Sequence, residues 1–439
     1  MRIIRTIIAI FLIIGSAFAA DVDSILILCT RDLHGHLKSE GEYAGFARIA
    51  AYFKKMKSQR ADVLILDAGD CISGTPVATF FKGEPIFEIM SAMGYDVGVL
   101  GNHEFDHGWK MIDTFKKIAT FPLLSANAYS PDNKLLGDGP TIILDVDGVV
   151  VGIVGVITES TPYEVIKTGN EGIRFKPVIQ AVKEHLPMVK EKCDLLIVLA
   201  HVGFEGEKRL ARSIDGIDLI VGGHTHPLFK EPVKIANTYI FQANEYGSHI
   251  GKVEVKVDLE AKKVIEVKGE LIRASDLPPP DKDVQNLVEK WERKVSEKVD
   301  FEIAISGKTW TESELKILFE KILKESTGAD FGYYNAKGIR DKIYKGPVTA
   351  RHIWNIEPFG NTIVMVTIKG RNIAGALRRQ LDKQNIIIEP DREYIIATNN
   401  FVKEHAERYI GKDFVYVENS NILVRDAVIE YIQKNGVKL

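Results

Sequence analysis

Residues 97–107 read Val-Gly-Val-Leu-Gly-Asn-His-Glu-Phe-Asp-His. An apolar run suited to a buried strand, Val97 to Leu100, passes directly into side chains that bind metals and move protons. The same passage recurs four times. Asp32-Leu33-His34-Gly35-His36 follows Ile25 to Cys29, Gly69-Asp70 follows Val63 to Leu66, Ala200-His201 follows Leu195 to Leu199, and Gly222-Gly223-His224-Thr225-His226 follows Ile217 to Val221. Buried strands deliver the residues at their ends to one edge of a sheet, so these five ends can converge although they lie far apart in sequence. Each motif alone is weak, since Asp-x-His and Gly-Asp are common in solvated turns. Their joint occurrence, each after a strand, points to a metal centre.

A two-cation hydrolase needs carboxylate and imidazole ligands on a rigid frame, with one ligand shared by ions about 3.5–4 Å apart. Asp32, His34, Asp70, Asn102, His201, His224 and His226 are of suitable type. Two divalent cations against two aspartates leave roughly +2, which attracts phosphate esters and acidifies water. The four imidazoles favour Mn, Zn, Fe or Co over Mg or Ca, and the sequence does not choose among the first group. His103 directly follows a ligand candidate and so is free to face a substrate, either stabilising developing charge or protonating a leaving alkoxide. Asp106, three residues on, can hold its tautomer. His36 and His107 fit behind the ligands, and His185, His249, His352 and His405 read as ordinary structural histidines.

The chain has 439 residues, too many for one ordinary core, and its 45% hydrophobic and 27% charged composition is that of a globular protein. Arg2 and Arg5 precede the uncharged stretch Thr6 to Ala20, which ends on Ala17-Phe18-Ala19. This reads as a signal peptide over 1–20, too short to span a bilayer, and implies a periplasmic or secreted protein free of the membrane after cleavage. The remainder holds 55 basic against 60 acidic residues, a formal −5. That balance offers no footprint for a nucleic-acid polymer and favours a small substrate. Cys29, Cys71 and Cys193 form no disulfide framework and read as buried hydrophobes, with Cys71 beside Asp70 near the metals.

From residue 25 to about 273, strand-like runs alternate with amphipathic helical stretches at Ala44 to Gln59, Glu84 to Met93 and Lys176 to Lys190. Asp147-Gly148 joins Thr141–Val146 to Val149–Ile157 as a two-residue hairpin, so the α/β fold has mixed strand pairing. Pro278-Pro279-Pro280, before a charged helix from Asp283 to Lys298, reads as a boundary and hinge. The predicted organisation is a first domain over 21–275, a linker and helix over 276–300, and a second, smaller α/β domain over 301–439. Its elements are a helix near Glu312 to Glu325, strands near Asn361 to Ile368 and Tyr394 to Thr398, and a helix from Leu423 to Asn435.

At these residues the chain resembles the calcineurin-like metallophosphoesterases, and in particular the 5′-nucleotidase family, which includes UDP-sugar hydrolases and 2′,3′-cyclic-nucleotide phosphodiesterases. The resemblance implies a four-layer sandwich of two sheets flanked by helices, with the site at the strand ends. It implies that Asp32, His34, Asp70 and His226 hold one metal and that Asp70, Asn102, His201 and His224 hold the other. His103 and Asp106 would form a catalytic dyad, and hydroxide on the metals would attack phosphorus in line with the leaving oxygen. The second domain would bind the nucleoside. Asn335 to Arg340 looks like the family's Asn-Gly-Gly-Gly-Ile-Arg, with Arg340 on the substrate. Phe359 and Asn361, in Pro-Phe-Gly-Asn, lie where an aromatic stacks on the base, and Phe401 takes the place of the second stacking ring.

Some positions depart from the family. The Gly-Gly-Asp-Gly expected after Phe401 is replaced by Lys403-Glu404-His405-Ala406-Glu407, in which Glu407 could substitute for the aspartate. Lys308 is the nearest cation where upstream arginines are expected, and Arg31 stands where an asparagine is usual. The implied activity is therefore an exported nucleotide phosphohydrolase. A cyclic-nucleotide phosphodiesterase, a UDP-sugar hydrolase, a broad phosphomonoesterase, a thiosulfohydrolase-like enzyme and a nucleotide-binding protein without turnover are alternatives. Oligomeric state is not legible.

Overall fold

A computed structural model describes residues 22–438; the proposed signal peptide lies outside the described residues. Two six-stranded sheets dominate the first part of the chain. The first has the order Lys263–Arg273, His249–Asp258, Val22–Thr30, Val63–Asp67, Val97–Val99 and Leu123–Leu124. Val22–Thr30 pairs antiparallel with His249–Asp258 and parallel with Val63–Asp67, so the pairing is mixed. The second sheet has the order Val233–Ile235, Thr238–Phe241, Leu219–Gly222, Leu195–His201, Val149–Ile157 and Thr141–Val146, with the expected Asp147-Gly148 hairpin at one edge.

The layering follows from the strands' two-residue period. Ile25, Ile27 and Cys29 pack with Leu64, Leu66, Val97 and Val99 against Val151, Ile153, Ile197 and Leu199 of the other sheet. Leu26, Leu28, Val63 and Ile65 face the other way, onto the helices Phe46–Gln59 and Glu84–Met93. Val154, Val156, Leu196 and Val198 meet Val178–Lys192 and Gly203–Ser213 on the far side. Strands buried on both faces read as unbroken apolar runs, and four layers result. Cys29, Cys71 and Cys193 are buried free thiols.

After Lys282–Val299 the chain builds a two-stranded sheet, Glu302–Ser306 with Gly346–Thr349, and a four-stranded one. The latter runs Phe331–Gly332, Glu393–Asn399, Thr362–Lys369 and Tyr416–Leu423. Helices Glu312–Thr327, Ala350–Ile356 and Val424–Asn435 cover one face, and Gly375–Lys383 lies on the other. Gly328, left-handed at φ 70°, ends the first of these helices.

Candidate metal centre

The five strand ends meet. Asp32 and His34 follow Val22–Thr30, Asp70 follows Val63–Asp67, and Asn102 and His103 open a short helical turn after Val97–Val99. His201 ends Leu195–His201, and His224 and His226 follow Leu219–Gly222. Asp32, His34, Asp70, His224 and His226 all adopt positive φ, between 45° and 90°. Asp and His tolerate this left-handed region better than most residues, yet it is a strained choice that a packed surround must hold.

The donor atoms fall into three groups, with His34, Asp70 and His103 linking the two that flank them. Asp70 Oδ2, His201 Nε2, His224 Nδ1 and Asn102 Oδ1 make one: His201 Nε2 is 3.0 Å from Asp70 Oδ2 and 3.2 Å from Asn102 Oδ1, and His224 Nδ1 is 2.9 Å from Asn102 Oδ1. Asp32 Oδ1 is 3.2 Å from His226 Nε2, and His34 joins them in the second group. Asp70 Oδ2, 4.0 Å from His34 Nε2, lies between the two. The outer nitrogens set the tautomers: His34 Nδ1 donates to the Ser73 carbonyl at 2.8 Å and His201 Nδ1 to the Ala68 carbonyl at 2.7 Å. Both Nε2 lone pairs therefore face inward, which is the orientation that metal ligation requires. Burial works against the Asp70 charge, but His201, His103 and His34 outweigh it and hold the carboxyl far below its ordinary value. In chemistry and disposition these residues fit divalent cations.

His103 is built for a different task. Its Nδ1 donates to Asp106 Oδ2 at 2.7 Å, leaving Nε2 4.0 Å from Asp70 Oδ2. Burial alone would lower the imidazole, but Asp106 and Asp70 together raise it above its ordinary value. Glu104, the next residue, is structural: Oε2 accepts from the backbone N–H of Asp70 at 3.0 Å and of Gly101 at 2.6 Å, and Oε1 from that of Cys71 at 2.9 Å. Gly101 permits this crossing, because a Cβ there would lie 2.2 Å from Asp70 Oδ1. Cys71 points away from the donors, its thiol on Asp67 Oδ1 at 2.9 Å.

The second part of the chain closes a cavity of about 690 Å³ over this cluster. Arg340 enters furthest, with Nη2 2.8 Å from His34 Nε2; a cation on that nitrogen requires the guanidinium to step aside. Phe359 stacks on His103, centroids 5.8 Å apart and planes at 24°. Asn335, Asn361 and Phe401 also line the cavity. Asn335 Oδ1 accepts from Asn399 at 3.0 Å and Asn361 donates to Glu357 at 2.7 Å, so both amides are partly engaged within the fold. Glu407 is exposed and outside the cavity lining, whereas Arg408, itself exposed, and Tyr409 of the same short helix Ala406–Tyr409 contribute to that lining; Glu407 does not replace the missing aspartate. Lys308 is likewise elsewhere, paired with Glu314 at 2.5 Å. His36 rests on Tyr246, centroids 4.5 Å apart, and His107 lines the cavity.

Three residues beside the site carried no signal in the sequence. Tyr246, at φ 57°, packs its ring against His34 and His226. Glu164 Oε1 lies 3.5 Å from His224 Nε2, behind the ring whose Nδ1 faces Asn102. Glu207 is wholly buried, accepts from Gln242 at 2.6 Å, and is pushed up to about 8 by burial.

Residues 25–228 match the family described as calcineurin-like phosphoesterase, and residues 293–387 match the 5′-nucleotidase C-terminal domain. The 5′-nucleotidase of Vibrio cholerae is 30% identical over 413 residues, covering 80% of this chain and 74% of that protein. The chain belongs to the 5′-nucleotidase family of metallophosphoesterases. Membership places it among the metal-dependent phosphoester hydrolases. The crystal structure of a 5′-nucleotidase precursor from Thermus thermophilus shares the fold, with a TM-score of 0.83, 24% identity and coverage of 95% of this chain and 97% of that one. Endonuclease YhcR of Bacillus subtilis is 29% identical over 84% of this chain but only 35% of its own length. The chain thus spans about a third of the Bacillus subtilis relatives it matches. Among the described residues no helix is long and apolar enough to cross a membrane.

Proposed function

We propose that this protein is an exported, two-cation phosphohydrolase that removes phosphate from nucleotides. The observation that carries the reading is the convergence of the Asp32, His34 and His226 donors with the Asp70, His201 and His224 donors, the His103–Asp106 pair beside them, under a cavity lined by aromatic rings and Arg340. Asp32, His34, Asp70 and His226 hold one cation; Asp70, Asn102, His201 and His224 hold the other. The ions, of the Mn, Zn, Co or Fe class, supply Lewis acidity at the phosphoryl group and acidify the attacking water. His103, its imidazolium favoured by the bond to Asp106, presents Nε2–H to the leaving oxygen and donates the proton that departure requires. Arg340 offers a planar fork of donors to the phosphoryl oxygens, and Phe359 and Phe401 offer flat apolar faces to a base. The domain division is 21–275, 276–300 and 301–439, with 1–20 removed on export.

The test is phosphate release from AMP, 2′,3′-cyclic AMP, UDP-glucose and p-nitrophenyl phosphate by metal-free protein given Mn, Zn, Co or Mg. Strong preference for a nucleotide supports base recognition in the second domain. Equal rates on AMP and p-nitrophenyl phosphate turn the reading to a broad phosphomonoesterase, a role consistent with Asn335 and Asn361 being engaged internally. Tight AMP binding by the Mn-loaded protein without phosphate release would overturn catalysis altogether.

A further inference from the structure

Arg31 is a fully buried cation whose nearest ionised partner is a ligand of the proposed metal centre. Its three nitrogens are all engaged. Nη1 donates to Asp32 Oδ2 at 2.7 Å, Nε to the Ala243 carbonyl at 2.7 Å, and Nη2 to the Pro227 carbonyl at 3.1 Å. The guanidinium therefore ties together three loops: the end of the first strand, the turn after His226 and the turn before Tyr246. Glu245, partly exposed as a side chain but with a buried Oε2 3.7 Å from Nη2, is its other carboxylate neighbour.

The two oxygens of Asp32 are consequently unequal. Oδ2 is engaged by Arg31 at 2.7 Å, whereas Oδ1 faces His226 Nε2 at 3.2 Å; the His224 N–H is shared between them, 3.2 Å from Oδ1 and 3.1 Å from Oδ2. A charge-assisted bond from a planar, wholly enclosed guanidinium locks the carboxylate rotamer. It also withdraws electron density from the ligand and sets a full positive charge behind it, where burial leaves little solvent to screen it. Among the described residues no comparable cation touches the other group, whose outer contacts are the Ala68 carbonyl on His201 and the Glu164 carboxylate near His224.

We propose that Arg31 is a positioning residue that commits Asp32 to the metal centre through Oδ1 alone and, by its charge, makes the site of Asp32, His34 and His226 the weaker of the two. Cations then bind in order, the Asp70, Asn102, His201 and His224 group first. The inference rests on the metal-centre reading above.

Calorimetric titration of the metal-free mature protein with Mn²⁺ tests it without any turnover. Wild type should bind two ions with dissociation constants at least about tenfold apart, and His226→Ala should abolish the weaker step. Arg31→Gln, which keeps a donor but no charge, should tighten the weaker step by about tenfold, the scale of effects of groups behind metal ligands. Arg31→Lys, which keeps the charge, should preserve the gap. Should Arg31→Gln fail to fold, Glu245→Gln serves instead: removing the partial counter-charge should weaken the weaker step by about threefold. Two ions with constants unchanged in Arg31→Gln or Glu245→Gln overturn the proposal alone, as does equal behaviour of the Gln and Lys variants at Arg31. A protein that takes up no Mn²⁺ overturns both this proposal and the metal-centre reading.

Discussion

At the scale of single residues, His103 and Asp70 differ in what their loss should do. In the proposed reading His103 moves a proton and holds no cation, so for His103→Ala turnover should fall by about 10²–10⁴-fold with the bound metal, measured by elemental analysis, unchanged. Asp70 stands between both donor groups, so Asp70→Asn should lose metal and turnover together. The candidate donors that the fold brings together were legible in sequence because metal chemistry draws on few residue types and each stood just after an apolar run. Glu164, Glu207 and Tyr246 belong to a different class. Their importance comes from what the fold places beside them: nothing in a lone glutamate at 164 shows that it will lie 3.5 Å from a histidine sixty residues later.

At the scale of elements, the loops after the strands are held by buried polar bonds. Glu104 gathers backbone N–H groups from the Asp70 and Gly101 turns, and burial pushes its carboxyl up to about 7. Glu104→Ala leaves those donors unsatisfied and should cost about 2–4 kcal/mol, read as a lower denaturant midpoint. Glu207, on the helix Gly203–Ser213, predicts a pH dependence. Its folded value of about 8 lies above the ordinary 4.5, so the folded state binds the extra proton. Stability from this group is therefore fully present below 4.5 and is lost as pH rises toward 8. Glu207→Gln mimics the protonated form and should stabilise the protein at pH 9, on the order of 2 kcal/mol, with little effect at pH 4. Equal shifts in melting temperature at both values would contradict this. Strand positions were readable because burial on both faces made them continuous apolar runs. The strands Gly346–Thr349 and Tyr416–Leu423 were not, since the first contains Pro347 and the second is a largely exposed edge without an apolar face.

At the scale of the whole molecule, the cavity exists because the second part of the chain rests on the first. Trp354 of the helix Ala350–Ile356 stacks on Phe80, centroids 4.6 Å apart, with the Arg425 guanidinium 3.5 Å from its ring. Thr79 donates to the Pro358 carbonyl at 3.1 Å, next to Phe359. Trp354→Ala should loosen this seating, raising KM several-fold with a smaller change in kcat and lowering stability by about 2 kcal/mol. An unchanged KM would show that Phe359 and Arg340 are positioned without it. The sequence by itself determined the α/β class with mixed strand pairing, the strand ends that carry the donors and the residue types available to them, because hydrophobic period and side-chain chemistry are local properties; the layering was implied by the family resemblance. Only the tertiary structure decided which oxygen of Asp32 Arg31 engages, that Arg340 reaches His34, and that Arg408 and Tyr409 line the cavity while Glu407 does not. Those outcomes depend on backbone turns of positive φ and on contacts between segments hundreds of residues apart, and neither leaves a local pattern in the chain.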